Sequence, residues 1–212
     1  MTLKLNRDLA TAADNIVSAI RESGKFIGTI TRAEKLSSDK GTEGLGLSFR
    51  SDNGQTADYL DLWHTKGNGE PLSSLKTVNA ILCCTKVAEA RDGAIQVEKW
   101  NADHGVRENV TVQGYPDLMG KRIGLLLQKT IETDQNGKDR DRIQIFGVFS
   151  AETELTASEI YAKKTNPERL ASMVDALTAR PVRDNRKAGG KPRAAAASTA
   201  SGPGLDDEDI PF

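Results

Sequence analysis

Along the chain the apolar positions keep first one rhythm and then another, and each change marks a new element. Leu9, Ala13, Ile16 and Ile20 recur at helical spacing, which predicts a short amphipathic helix over about 7–22, stopped by Gly24. From Lys25 onward the rhythm is that of strands. A short β-rich run covers 26–31, and Leu45, Leu47 and Phe49 alternate with Gly46 and Ser48. The turn Ser51-Asp52-Asn53-Gly54 then leads into a second alternating run over 57–65, so a hairpin is expected. Gly67 to Pro71 breaks the pattern. Leu72, Leu75, Val78 and Leu82 return to helical spacing, which predicts a helix reaching about Ala88. The stretches 94–100 and 106–113 read as short strands or an inserted excursion. Stronger strands follow over 123–133 and 142–149, joined at Asp134-Gln135-Asn136-Gly137, a second Asn-Gly turn.

Helical signals come next. Thr156-Ala157-Ser158-Glu159 is a capping-box pattern, and Asn166-Pro167 can supply a cap and a first helical position. Leu170, Met173, Val174 and Leu177 would share one side of that helix. Beyond Arg180 the chain turns to Ala, Gly, Pro, Ser and basic residues, with little to bury. The expected organisation is therefore an arm over 1–24, a core over 25–155 and a helical extension over 156–180. A flexible linker over 181–204 and an acidic tail over 205–212 complete it. The fold class expected is mainly β with flanking helices. Several short strands with one intervening helix suit a small Greek-key barrel of the oligonucleotide-binding (OB) kind, although a general α+β sheet would give the same pattern.

Charge changes this picture locally rather than globally. The formal net charge of −1 advertises no nucleic-acid partner. Between Arg180 and Arg193, however, six basic residues face one acid, and the last eight residues hold four acids and no base. A DNA-binding face would have to be a local patch. The only two cysteines, Cys83 and Cys84, are adjacent, which fits a reducing cytoplasm better than a secreted disulfide framework. No apolar stretch approaches the length of a membrane span, so no membrane partner is expected.

The tail carries the most specific chemistry. Asp206, Asp207, Glu208 and Asp209 precede Ile210, Pro211 and Phe212. The Phe212 ring can fill a small apolar pocket while the acids steer the peptide toward a basic rim. Solubility alone would not ask for Ile-Pro-Phe after the acids. These residues resemble the C-terminal peptide of bacterial single-stranded-DNA-binding proteins, which ends in acids followed by Ile-Pro-Phe. The body, over roughly 25–150, is more similar to the divergent single-stranded-DNA-binding proteins of bacteriophages. The resemblance implies an OB-like barrel that binds single-stranded DNA. It also implies a tail that recruits replication, recombination and repair proteins, and it leaves a homo-oligomer open. A rival reading keeps the tail and drops the DNA: an adaptor or competitor that docks on the same partners.

Single-strand binding needs aromatic faces for bases and cations for phosphates. In the run Asp58-Tyr59-Leu60-Asp61-Leu62-Trp63-His64 the leucines should face the core, leaving Tyr59, Asp61 and Trp63 on the other face. Tyr59 and Trp63 then either stack on bases or pack under a helix. Trp100 and Tyr115 are further aromatic candidates. The candidate cations are Arg32, Lys35, Arg50, Lys66, Lys129, Lys138, Arg140 and Arg142. Catalysis finds little support. The segment from Gly114 to Lys121 has five residues between its glycines, not the four of a phosphate-binding loop, and Arg122 stands where Ser or Thr should hold magnesium. His64 and His104 lack metal-ligand spacing with the cysteines. The expectation is a protein that is not an enzyme, with no metal and no cofactor.

Overall fold

A computed structural model describes residues 18–101, 105–134 and 136–186. The alternating runs form an antiparallel meander of β1 (Gly24–Ser37), β2 (Glu43–Ser51) and β3 (Thr56–Thr65). Ile30 and Ala33 of β1, Leu45, Leu47 and Phe49 of β2, and Ala57 and Leu60 of β3 are all buried in one core. Next comes α1 (Leu75–Cys84), which adds Ile81 and Cys84 to that core. Burial pushes the Cys84 thiol up to about 12, so it is an inert packing group at neutral pH. The chain continues through the hairpin of β4 (Gly93–Asn101) and β5 (Val106–Gly114), a 3-10 turn at Pro116–Leu118, and the hairpin of β6 (Arg122–Thr133) and β7 (Asp139–Phe149).

The length of β1 lets it serve three partners. One edge pairs with β2; the other is shared, residues 24–29 pairing with 122–127 of β6 and Glu34 with Gly114 of β5. Beyond β6, β7 runs antiparallel and approaches β3. Strands β1, β2, β3, β7 and β6 thus wrap the core, with α1 lying between β3 and the closing hairpin in sequence. This is an OB-like, mainly β barrel into which the β4–β5 hairpin has been inserted.

The run Ile123-Gly124-Leu125-Leu126-Leu127 is apolar without alternation because β6 is buried on both faces. Leu125 and Leu127 enter the barrel core. Leu126 joins Phe149 beneath α3 (Arg169–Ala179), where Leu170 and Leu177 cover it. Full burial of a leucine of this kind contributes about 1.5–3 kcal/mol.

Before α3 stands α2 (Ala157–Tyr161), with the capping box at Thr156 and Glu159 in place. Glu159 is 1% exposed, yet its carboxylate is fully occupied. It accepts the Thr156 N–H at 2.9 Å and hydroxyl at 2.8 Å, and the N–H groups of Glu168 and Arg169 at 2.8 Å each. Burial opposes its charge, but these four hydrogen bonds outweigh it and hold the pKa at about 2. One carboxylate therefore ties the starts of two helices together.

Several expectations are corrected by tertiary contacts. Of the helix predicted over 7–22, residues 18–22 are not helical: Ala19 bridges Thr56 in parallel, and the Ile20 N–H donates to the Thr56 carbonyl at 2.7 Å. The remainder of that segment lies outside the described residues. The helix predicted from Leu72 begins at Leu75, because the Leu72 N–H donates to the His64 carbonyl instead. The segment expected to be linker from Pro181 begins with a strand. β8 (Val182–Asp184) pairs in parallel with residues 129–131 of β6, filling the edge that β1 leaves open. The later part of the linker and the acidic tail lie outside the described residues. Among the described residues, no helix is long and apolar enough to cross a membrane.

Candidate nucleic-acid interface

Ser48, in the middle strand of the meander, is bracketed by a bulge on each side. In β1, Ile30 pairs with Phe49 and Arg32 with Ser48, so Thr31 is extra. In β3, Leu60 pairs with Leu47 and Ala57 with Phe49, so Asp58 and Tyr59 together oppose Ser48. A bulge of this kind re-aims side chains. Here each turns two consecutive residues outward, Thr31 with Arg32 and Asp58 with Tyr59, while the flanking Ile30, Ala33, Ala57 and Leu60 stay buried. The two bulges bring Arg32 and Tyr59 together across β2, and the Arg32 guanidinium lies 5.8 Å from the centre of the Tyr59 ring.

Tyr59 is 68% exposed and adopts φ of 59°. A bulky residue in the left-handed region is a conformational outlier that costs about 1–3 kcal/mol, and such strain concentrates at functional sites. Trp63, four residues further along β3, is 38% exposed and lies across Gly44, where a Cβ would stand 3.0 Å from the indole. Gly46 makes similar room for Arg32, since a Cβ there would approach its Nη2 to 2.8 Å. The glycines in the middle strand are what allow large side chains to lie flat on this face.

Two grooves meet at the β3 bulge. The first, of about 620 Å³, has Thr31, Arg32, Ser48 and Arg50 on one side and Gln96, Val97, Glu98 and Asn109 of the β4–β5 hairpin on the other. The second, of about 640 Å³, lies between β3 and the β6–β7 hairpin and is lined by Tyr59, Lys129 and Arg142 together with Arg21, Glu22 and Asp141. Ala19, Thr56 and Asp58 line both. Asp58 of the bulge therefore stands at their junction, and Tyr59 next to it lines the second groove, with cations in each arm.

The electrostatics of these arms differ. Arg32 is bound at 2.8 Å by Glu34, its Nη1 is 4.0 Å from Asp61, and Lys99 reaches Glu34 from the β4–β5 hairpin at 2.6 Å. Burial works against the Glu34 charge, but hydrogen bonds from Lys99 and Arg32 hold the carboxyl below its usual range. Burial pushes the Asp61 carboxyl the other way, upward, with Arg32 only partly restoring it. Arg50 is exposed in the first groove. In the second groove Lys129 meets Asp141 at 3.1 Å and Glu22 at 3.5 Å, and Arg142 meets Glu132 at 3.4 Å. Arg140 pairs with Asp134 at 2.8 Å near the hairpin tip, where Lys138 is exposed.

The other residues nominated by sequence lie elsewhere. Lys35 pairs with Asp92 at 2.6 Å, near Tyr115, which is half-buried against the barrel core. Lys66 closes a loop with Glu70 at 2.7 Å. Trp100 lies in β4 opposite Arg107, and its side chain is outside the described residues. Sequence reasoning missed the hairpin wall, above all Gln96 and Asn109, and also Arg21. Nothing in the local pattern of 94–113 says that this hairpin folds back beside β1; the pairing of Gly114 with Glu34, the Tyr115 N–H donating to the Ala33 carbonyl and the Lys99–Glu34 ion pair place it there. Among the described residues, no cluster of His, Cys, Asp and Glu could hold a metal ion.

No protein-family model matches this chain, and no curated protein matches it.

Proposed function

We propose that this protein binds single-stranded DNA without strong sequence preference and recruits replication, recombination and repair proteins through Asp206, Asp207, Glu208, Asp209, Ile210, Pro211 and Phe212. The observation that carries the first half is Tyr59: an exposed ring in a strained conformation, lining one groove next to its junction with a second, on the β2–β3 face that OB barrels use for oligonucleotides. Stacking tolerates any base because every base has a π-face, and Arg50, Lys129 and Arg142 flank the ring with charge for phosphates. The recruiting half rests on the sequence of the tail alone. The role is one of binding and protection rather than catalysis.

Titration with oligo-dT, followed by tryptophan and tyrosine fluorescence at several salt concentrations, tests the DNA half. Quenching with a midpoint that shifts steeply with salt is the expected result. Absence of any response at low salt would transfer the protein to the second reading, a partner-docking adaptor that does not bind DNA. One observation favours that second reading: Lys129, Arg140 and Arg142 on the β6–β7 hairpin are already matched with carboxylates.

A further inference from the structure

Arg32 is the cation nearest the exposed ring, and its charge is already committed. Its Nε donates to Glu34 Oε2 at 2.8 Å, its Nη2 lies 2.8 Å from the same oxygen, its Nη1 stands 4.0 Å from Asp61, and its side chain is only 12% exposed. A phosphate approaching this guanidinium would have to displace one carboxylate and sit against another. Glu34 is itself anchored from the far side by Lys99 of the inserted hairpin. The result is a continuous chain of contacts, Lys99 to Glu34 to Arg32 to Tyr59, running from the hairpin wall across the sheet to the ring. The planar fork of an arginine lies flat over Gly46 and against an aromatic ring, and a lysine cannot reproduce this geometry.

We propose that Arg32 is a positioning residue and not a phosphate contact. It holds the Tyr59 ring in place in the second groove, beside the junction at Asp58, so that the open side of the ring receives one base of the strand. Arg50, exposed in the first groove, takes the adjacent phosphate. This assignment rests on the DNA-binding reading above, and it goes further by separating two arginines that sequence treats as equivalent.

Salt dependence separates the two roles. A residue that neutralises a phosphate changes the slope of log affinity against log salt by about 0.7 for a single strand, whereas a positioning residue changes affinity at constant slope. Arg32→Gln and Arg32→Lys should each weaken oligo-dT binding roughly threefold to tenfold with the wild-type slope, because neither supplies the fork. Arg50→Gln should flatten the slope. In a Tyr59→Ala background, Arg32→Gln should change affinity by less than about twofold, the signature of an effect routed through the ring. If Arg32→Gln flattens the slope as Arg50→Gln does, or if its effect persists without Tyr59, the proposal is overturned. Ring signals of carbon-13-labelled tyrosine in the free protein give a readout that needs no DNA. Loss of the single Tyr59 environment in Arg32→Gln, with unfolding midpoints measured alongside, supports the positioning role, and an unchanged ring signal overturns it. A wild-type chain that binds no oligo-dT sinks the DNA-binding reading and the base-receiving role together, while the ring signal still decides whether Arg32 holds Tyr59.

Discussion

The β6–β7 hairpin carries more charged residues than strands β2 and β3, and the two faces are built on different principles. On the hairpin, cations and acids alternate and meet across or along the strands, as in Arg142 with Glu132 and Lys129 with Asp141. Such exposed pairs are each worth about 0–1 kcal/mol and leave a nearly neutral surface. On the β2–β3 face the middle strand supplies Gly44, Gly46 and Ser48, and the bulges beside it turn Arg32 and Tyr59 outward. Space, rather than charge, distinguishes that face. Counting basic residues would have chosen the hairpin; the exposed aromatic ring and the strained backbone point to the sheet.

The framework behind both faces gives the largest expected effect. Glu159→Ala strips four hydrogen bonds from two helix starts and should lower stability by about 2–4 kcal/mol in urea unfolding. Oligo-dT affinity of the folded chain should not change; a parallel loss of affinity would mean that α2 and α3 help to shape the binding face. The folded pKa of about 2 lies below the ordinary 4.5, so this contribution is present above about pH 4.5. It is lost as pH falls from there toward 2, and the acid side of the stability profile should be flatter in Glu159→Gln.

Tyr59 provides the sharpest contrast between the faces. Tyr59→Ala should weaken oligo-dT binding by about 1–3 kcal/mol. Tyr59→Gly should lose the same stacking yet hold stability level or raise it by up to about 1 kcal/mol, since glycine accepts a positive φ without penalty. A variant that gains a higher melting temperature and loses affinity would mark the strain at this bulge as functional. If both properties fall together, Tyr59 is a packing residue.

The smallest effects belong to the hairpin. Asp141→Asn removes a carboxylate beside Lys129 in the second groove and should tighten oligo-dT binding by about 0.3–1 kcal/mol at low salt. Arg140→Gln, further toward the tip, should alter binding by less than about 0.5 kcal/mol. If Arg140→Gln costs as much as Tyr59→Ala, the contrast between the two faces fails.

Much of the framework was legible in the sequence because period-two alternation and the Asn-Gly turns act locally. Leu45, Leu47, Phe49, Leu60 and the capping box at Thr156 could each be read from their immediate neighbours. Tyr59 and Trp63 could be placed on the outward face for the same reason. The bulge at Thr31 could not, because it exists only where the register of β1 against β2 slips. Val182 to Asp184 looked like linker, lacking neighbours to bury, until the open edge of β6 paired with them. The helix expected to end at Glu22 gave way at its end to the bridge between Ala19 and Thr56, a contact with no local signal.

By itself, the sequence determined which residues turn inward, where the chain reverses, and the acidic Ile-Pro-Phe tail, all of which depend on nearest neighbours and composition. Only the tertiary structure decided which cations are spent and which are open, and that Tyr59 lines a groove beside the point where a second one meets it. The physical reason is range. Alternation is settled within a few residues, whereas the Arg32–Tyr59 contact and the Lys99–Glu34 pair join separate strands and exist only when bulge, glycine and inserted hairpin come together in one fold.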